Sequence, residues 1–107
     1  MGLFKRKTYV VHSALNLDLA LMYEKGEMAD YYIPGRDCKS TDPQKVIDEN
    51  IQALRKAKEP VIIIWDSSND VSFWMGIAYA FKKKCELISA EMFKPRVGKS
   101  GKIQYDA

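Results

Sequence analysis

A three-layer α/β domain, with a parallel sheet of about four strands and helices on both faces, is the fold this sequence predicts, and three observations carry it. Val61-Ile62-Ile63-Ile64-Trp65 holds four β-branched residues in a row, the composition of a strand buried on both sides, as parallel strands are. Segments of strand character alternate with segments of helical period, and the connections are long enough for right-handed crossovers between parallel strands. The apolar run empties into Asp66-Ser67-Ser68-Asn69-Asp70 and then into a helical stretch. Open α/β sheets place their ligands at such junctions, where a strand's carboxyl end meets the amino end of the next helix. Together these are the traits of a flavodoxin-like or Rossmann-like single domain.

Taken in order, Thr8-Tyr9-Val10-Val11-His12 is a β-branched run closed by Ser13-Ala14. Leu15 to Lys25 then places Leu15, Leu19 and Met22 on one helical face, with Gly26 as the stop. Tyr31-Tyr32-Ile33 reads as a short second strand, and Pro34-Gly35-Arg36-Asp37 as a loop, because proline and glycine extend neither element well. The next helix starts at Thr41-Asp42-Pro43-Gln44: either Thr41 and Gln44 form a capping box, or Asp42 caps with Pro43 in the first turn. Ile47, Ile51 and Leu54, flanked by Val46, Ala53 and Ala57, give its apolar stripe, with Lys45, Glu49, Arg55 and Lys56 left wet. The third strand is Val61 to Trp65. A third helix follows from about Val71 to Lys83; its Phe73, Trp74, Ile77, Tyr79, Ala80 and Phe81 predict burial on more than one side, and its closing lysines suit a helix carboxyl end. Cys85-Glu86-Leu87-Ile88 is the fourth strand. Residues 1–92 thus form the domain, and residues 93–107, rich in Lys, Gly, Pro and Ser, a basic flexible or partner-docked tail.

Composition narrows the function classes. With 107 residues and 47% apolar content the chain can bury one core, which argues against disorder. No stretch nears the roughly 20 apolar residues of a membrane span, and Lys5-Arg6-Lys7 leads into a strand pattern, so the expectation is a cytoplasmic protein without a membrane partner. Cys38 and Cys85 lie far apart without metal-ligand spacing, so neither a metal nor a disulfide is expected. The net charge of +3 is spread over three short clusters that lack interleaved aromatic residues, which makes nucleic acid an unlikely partner. Gly98-Lys99-Ser100-Gly101 has part of a phosphate loop but neither the upstream glycine nor a preceding strand.

The junction itself carries a signature. Asp70-Val71-Ser72-Phe73-Trp74-Met75-Gly76-Ile77-Ala78-Tyr79-Ala80 resembles the motif of the nucleoside 2-deoxyribosyltransferase family, in which an Asp after the strand is followed six positions on by a Glu and then by x-Gly-Tyr-Ala. Asp70 matches the Asp, Ala78-Tyr79-Ala80 matches Gly-Tyr-Ala with one change, and Gly76 stands at the position of the Glu. The likeness continues at Tyr9 in the first strand, at Tyr32-Ile33-Pro34-Gly35-Arg36-Asp37 at the second strand's exit, and at Asn50-Ile51-Gln52-Ala53-Leu54 in the helix before the third strand. It spans roughly Thr8 to Ile88.

The resemblance implies a nucleoside site and, through its departures, a loss of chemistry. In the family the Glu attacks the anomeric carbon, forms a glycosyl ester and passes the sugar to a second base. Gly76 offers no carboxylate there, and Asn50 replaces the family's helix Asp, keeping hydrogen bonding but losing acid-base ability. Asp70 remains. The expected ligand-binding set is therefore Tyr9, His12, Ser13, Asn50, Asp66, Ser68, Asp70 and Ser72, for a nucleoside or a 5′-nucleotide. No cofactor is implied. Asp66 and Asp70 are the catalytic candidates if a weak transferase or N-glycosidase activity survives.

Each residue also has a plainer role to weigh. Gly76 can serve close packing of the helix, Asp70 can cap it, Tyr9 can be core, and His12 can face a loop with no nucleophile beside it. A third possibility is an interaction module, with Trp74 and Phe81 marking a self-association surface. The apolar third helix favours a homo-oligomer in any case.

Overall fold

The computed structural model describes residues 7–93, 95–97 and 103–105, with side chains for 7–91. Four strands, β1 (Thr8–Val11), β2 (Tyr31–Tyr32), β3 (Lys58–Trp65) and β4 (Cys85–Ser89), form one all-parallel sheet in the order β2-β1-β3-β4. Helices cover both faces. α1 (Leu17–Glu27) follows a 3-10 turn at Ala14–Asn16; α2 (Pro34–Asp37) is one turn; α3 (Pro43–Arg55) and α4 (Asn69–Ala80) are the long crossovers.

Strand alternation divides the core in two. Val10, Ile62 and Ile64 point to one face and pack with Leu19 and Ala20 of α1. Tyr9, Val11, Val61 and Ile63 point to the other and pack with Leu54 of α3 and with Val71 and Ala78 of α4. Val61 to Ile64 are all at most 3% exposed, and each such side chain contributes about 1.5–3 kcal/mol of burial. The chain runs from β1 outward to β2, then back past β1 to β3 and on to β4. Strand order therefore reverses between β1 and β3, and α1 leaves on the face opposite α3 and α4. That reversal opens a crevice at the carboxyl ends of β1 and β3.

Several expected details are corrected. Pro34–Asp37 is helical, not a loop: Pro34 occupies the first helical position, and the Asp37 carboxylate accepts the Ile33 N–H at 2.8 Å. Arg36 holds this turn to its surroundings, donating to Glu24 and Asp37 and to the Tyr31 carbonyl at 2.9 Å. α1 runs through Gly26 and ends where Met28 takes the left-handed conformation, φ 52°. Its buried face is Leu19 and Ala20, whereas Leu15 is 88% exposed, because the 3-10 turn shifts the helical frame between the two leucines. β3 begins three residues earlier than expected. Its register with β1 slips between Thr8 and Val10, opposite Pro60, which has no N–H to give the ladder. At α3 the cap is Asp42, accepting from Lys45 N–H at 3.2 Å, with Pro43 in the first turn.

α4 is not buried on several sides. Val71 and Ala78 meet the sheet, Trp74, Met75, Ile77 and Phe81 pack partly against it, and Phe73 and Tyr79 face outward at 50% and 83% exposure. Trp74 is held by the Tyr9 and Phe73 rings, and Phe81 lies under the Arg55 guanidinium.

Beyond the sheet, β5 (Pro95–Val97) and β6 (Ile103–Tyr105) pair as an antiparallel ribbon. Gly98-Lys99-Ser100-Gly101 and most of the segment expected to be a tail lie outside the described residues, as do Lys5 and Arg6. No helix among the described residues is long and apolar enough to cross a membrane.

Candidate functional site

At the crevice, Asp66 is the organising side chain. It is the first residue after β3, and its two oxygens gather donors from both sides of the strand reversal. Ser13 Oγ donates to Oδ2 at 2.5 Å, Asn16 Nδ2 donates to the same oxygen at 2.7 Å, and the Ser68 N–H donates to Oδ1 at 2.9 Å. Burial opposes the charge on Asp66, but the hydrogen bonds from Ser13, Ser68 and Asn16 outweigh it and hold the carboxyl below its ordinary range. Asp66 is an anion held in place by three hydrogen bonds.

Ser68 has a second task. Its Oγ accepts the Val71 N–H at 3.3 Å, so Ser68, and not Asp70, is the N-cap of α4. Around this knot lies an open cleft of about 610 Å³, bounded by Leu15 and Asn16 after β1, Trp65 to Ser68 at the end of β3, and Ser89 to Glu91 at the end of β4. Its size falls within the range of small-molecule sites. Trp65, 38% exposed, offers a ring face, and the serines and Asn16 offer hydroxyl and amide groups.

The remaining expected residues lie elsewhere. His12 bridges β1 to α2: Nδ1 is 2.8 Å from the Ser13 carbonyl, and Nε2 is 3.1 Å from the Gly35 nitrogen. A backbone N–H can only donate, so Nε2 accepts and Nδ1 carries the proton. Burial lowers the His12 pKa, against opposing effects of the Ser13 carbonyl and Asp66. The ring is a neutral strut with both nitrogens occupied. Gly35 makes the strut possible, since a Cβ there would stand 2.9 Å from the His12 ring.

Tyr9, Tyr32 and Asn50 form a separate group under α3 and α4. The Tyr32 hydroxyl donates to Asn50 Oδ1 at 2.8 Å, and the Tyr9 ring stacks on Tyr32 with centroids 5.4 Å apart. Tyr9 is 1% exposed and its hydroxyl has no hydrogen-bond partner among the described residues. Desolvation, with smaller effects of Tyr32 and Cys38, pushes its pKa up. Asp70 and Ser72 are exposed on α4 and do not line the cleft. At Gly76 a Cβ would meet nothing within 4 Å, so close packing is not the reason for glycine there.

The structure thus joins Ser13, Asp66 and Ser68, and leaves Tyr9, His12, Asn50, Asp70 and Ser72 outside that cluster. Reasoning from sequence missed Asn16 and Trp65. The signal for Asn16 was its position three residues after Ser13, in the exit of the first strand; that this strand neighbours β3 comes from the structure. Among the described residues no group of three or more His, Cys, Asp or Glu side chains is placed to hold a metal, and Cys38 and Cys85 are free thiols.

The chain is similar in structure to a 2-deoxyribosyltransferase from Leishmania mexicana, with a TM-score of 0.55, over 94% of this chain and 79% of that one. The two share a fold. Sequence identity is 16%, so the likeness speaks for the fold alone. No protein-family profile matches the chain. No curated protein matches it either.

Proposed function

We propose that this protein binds a nucleoside or 5′-nucleotide in the cleft at the carboxyl end of its sheet and does not transfer the sugar. The observation that carries the reading is the Asp66 knot. It builds a rigid polar floor at the strand reversal, beside an open cleft, from a carboxylate whose oxygens already accept three donors. A nucleophile needs freedom to approach the anomeric carbon; these three hydrogen bonds tie the Asp66 carboxylate to the protein instead. Trp65 supplies a face for the base, Asn16 and the cleft hydroxyls supply partners for sugar or phosphate, and the amino end of α4 favours an anion. Support for the nucleoside class comes from the shared fold and from the Asp70 to Ala80 signature, in which Gly76 takes the place of the attacking Glu.

A residual N-glycosidase is the second reading, favoured by one observation: Asp70 is an exposed carboxylate with no hydrogen bond among the described residues. Thermal-shift titration with nucleosides and 5′-nucleotides at millimolar concentration tests binding, with an expected rise of about 2 °C or more. Trp65→Ala and Asn16→Ala should abolish the rise. No shift across the panel would end the ligand reading, and release of free base that disappears in Asp70→Ala would replace it with the hydrolase.

A further inference from the structure

The amino edge of the sheet, at the opposite end of β3 from the cleft, carries concentrated positive charge. Two chain segments meet there. One is the turn from α3 into β3, with Arg55, Lys56 and Lys58; the other is the turn from α4 into β4, with Lys82, Lys83 and Lys84. The fold ties them directly. Lys83 Nζ donates to the Ala57 carbonyl at 2.9 Å, the Arg55 guanidinium lies 5.0 Å from the centre of the Phe81 ring, and the Val61 N–H donates to the Lys84 carbonyl at 2.8 Å.

Lysines after a helix often do no more than oppose its dipole. That role covers a cation at each helix end, but Lys58 belongs to β3 and Lys84 stands at the start of β4. None of the six makes an ion pair among the described residues, and Glu59 is the only carboxylate in the two turns. The whole chain has a net charge of +3, so these turns hold more than its entire excess and the rest of the chain is net negative. Like charges gathered without counter-charges repel one another, and a polyanion relieves that repulsion.

Beside them stands a bare aromatic ring. Tyr79 is 83% exposed, and with Ala80, Lys82 and Lys83 it lines a hollow of about 420 Å³. Its helix carries no charge from Val71 to Phe81. Cations alone suit any polyanion; cations beside an exposed ring suit one whose repeating unit has both a charge and a flat face. In sequence the two basic runs are separate and neither has an aromatic residue within it. Folding brings them together beside Tyr79.

We propose that this corner binds single-stranded nucleic acid, with Arg55, Lys56, Lys58, Lys82 and Lys84 facing the phosphates and a base stacked on Tyr79. The inference does not rest on the ligand cleft. β3 separates the two by its eight residues from Lys58 to Trp65, roughly 23 Å at about 3.3 Å per step, and no residue of the hollow lines the cleft.

Fluorescence anisotropy tests it, with a labelled single strand of about twelve mixed-sequence nucleotides, as RNA and as DNA, titrated with the full chain. At least one strand should bind at about 50 mM salt and lose about tenfold or more in affinity by about 200 mM. Tyr79→Ala should weaken binding about fivefold or more, whereas Tyr79→Phe keeps the ring and should bind like wild type. Lys58→Glu combined with Lys84→Glu should weaken binding about tenfold or more with unchanged circular dichroism. Lys45→Glu, at the opposite end of α3, should cost less than about threefold. No anisotropy change at about 100 μM protein would overturn the proposal. So would equal binding by wild type and Tyr79→Ala. Tighter binding to polyglutamate or to phosphatidylserine vesicles than to either strand would overturn it in favour of an acidic peptide or an anionic membrane surface.

Discussion

Ser13 gives its hydroxyl to Asp66 at 2.5 Å across 53 residues of sequence, and that bond joins the exits of the two strands between which the sheet reverses its order. Asn16 and the Ser68 N–H complete the arrangement. Floor and fold are therefore the same object, and perturbing one perturbs the other.

Asp66→Ala leaves Ser13, 3% exposed, without its acceptor, at a cost of about 2 kcal/mol or more at neutral pH. The folded carboxyl titrates below its unfolded value of about 3.9, so its contribution is fully present above that pH and is lost as pH falls through the folded pKa. Urea midpoints of wild type and variant should differ near neutrality and approach each other as pH falls below about 3.9. A constant difference at all pH values would show that the charge is not what stabilises the knot.

His12 has the same sign of linkage for another reason. Burial lowers its pKa below the unfolded value of about 6.5, so stability is fully present above that pH and declines as pH falls toward the folded pKa. Protonation also turns Nε2 from acceptor to donor, facing the Gly35 N–H. His12→Gln should remove the fall in stability that sets in as pH drops below about 6.5. An NMR titration placing the His12 pKa above 6.5 would contradict the strut.

Tyr9→Phe should be neutral or stabilising, by up to about 1 kcal/mol, because it removes a buried hydroxyl that has no partner while keeping the ring stacked on Tyr32. Chemical denaturation decides it. A loss above about 1 kcal/mol would mean that the hydroxyl has a partner in solution.

Two glycines should respond in opposite directions to alanine. Gly26 lies inside α1 with open space where a Cβ would go, so Gly26→Ala should stabilise by about 0.5–1 kcal/mol through helix propensity. At Gly35 the added carbon would fall 2.8 Å from a Leu17 methyl and 2.9 Å from the His12 ring. Gly35→Ala should therefore cost about 1 kcal/mol or more as the ring is pushed off its hydrogen bond. Thermal melts of the pair give both signs.

The parallel sheet, the alternation of helices and the strand–loop–helix junction were legible in the sequence because they rest on local chemistry. Four β-branched residues from Val61 to Ile64 demand burial wherever they sit, and a proline after an aspartate starts a helix at Pro43 without help from the rest of the chain. The boundaries that failed were those set by distant partners. Pro34–Asp37 coils because Asp37 and Arg36 find Ile33, Glu24 and Tyr31, and α1 passes Gly26 because its end is set by the turn into β2.

For the candidate site, the sequence by itself determined that Asp66 and Ser68 stand at the end of β3 beside the start of a helix. Only the tertiary structure decided the membership. Two side chains share a cleft when their strands are neighbours and their side chains point the same way, and strand order is a long-range property that no short window contains. Ser13 and Asn16 reach Asp66 because β1 lies next to β3; Tyr9, four residues before Ser13, points through the α3/α4 face and is sealed in the core. The charges of Lys58 and Lys84 were plain in the sequence as well. What it could not show was that α4 turns Phe73, Gly76 and Tyr79 outward, because the facing of a helix whose apolar residues surround it is chosen by the sheet it lands on and not by its own pattern.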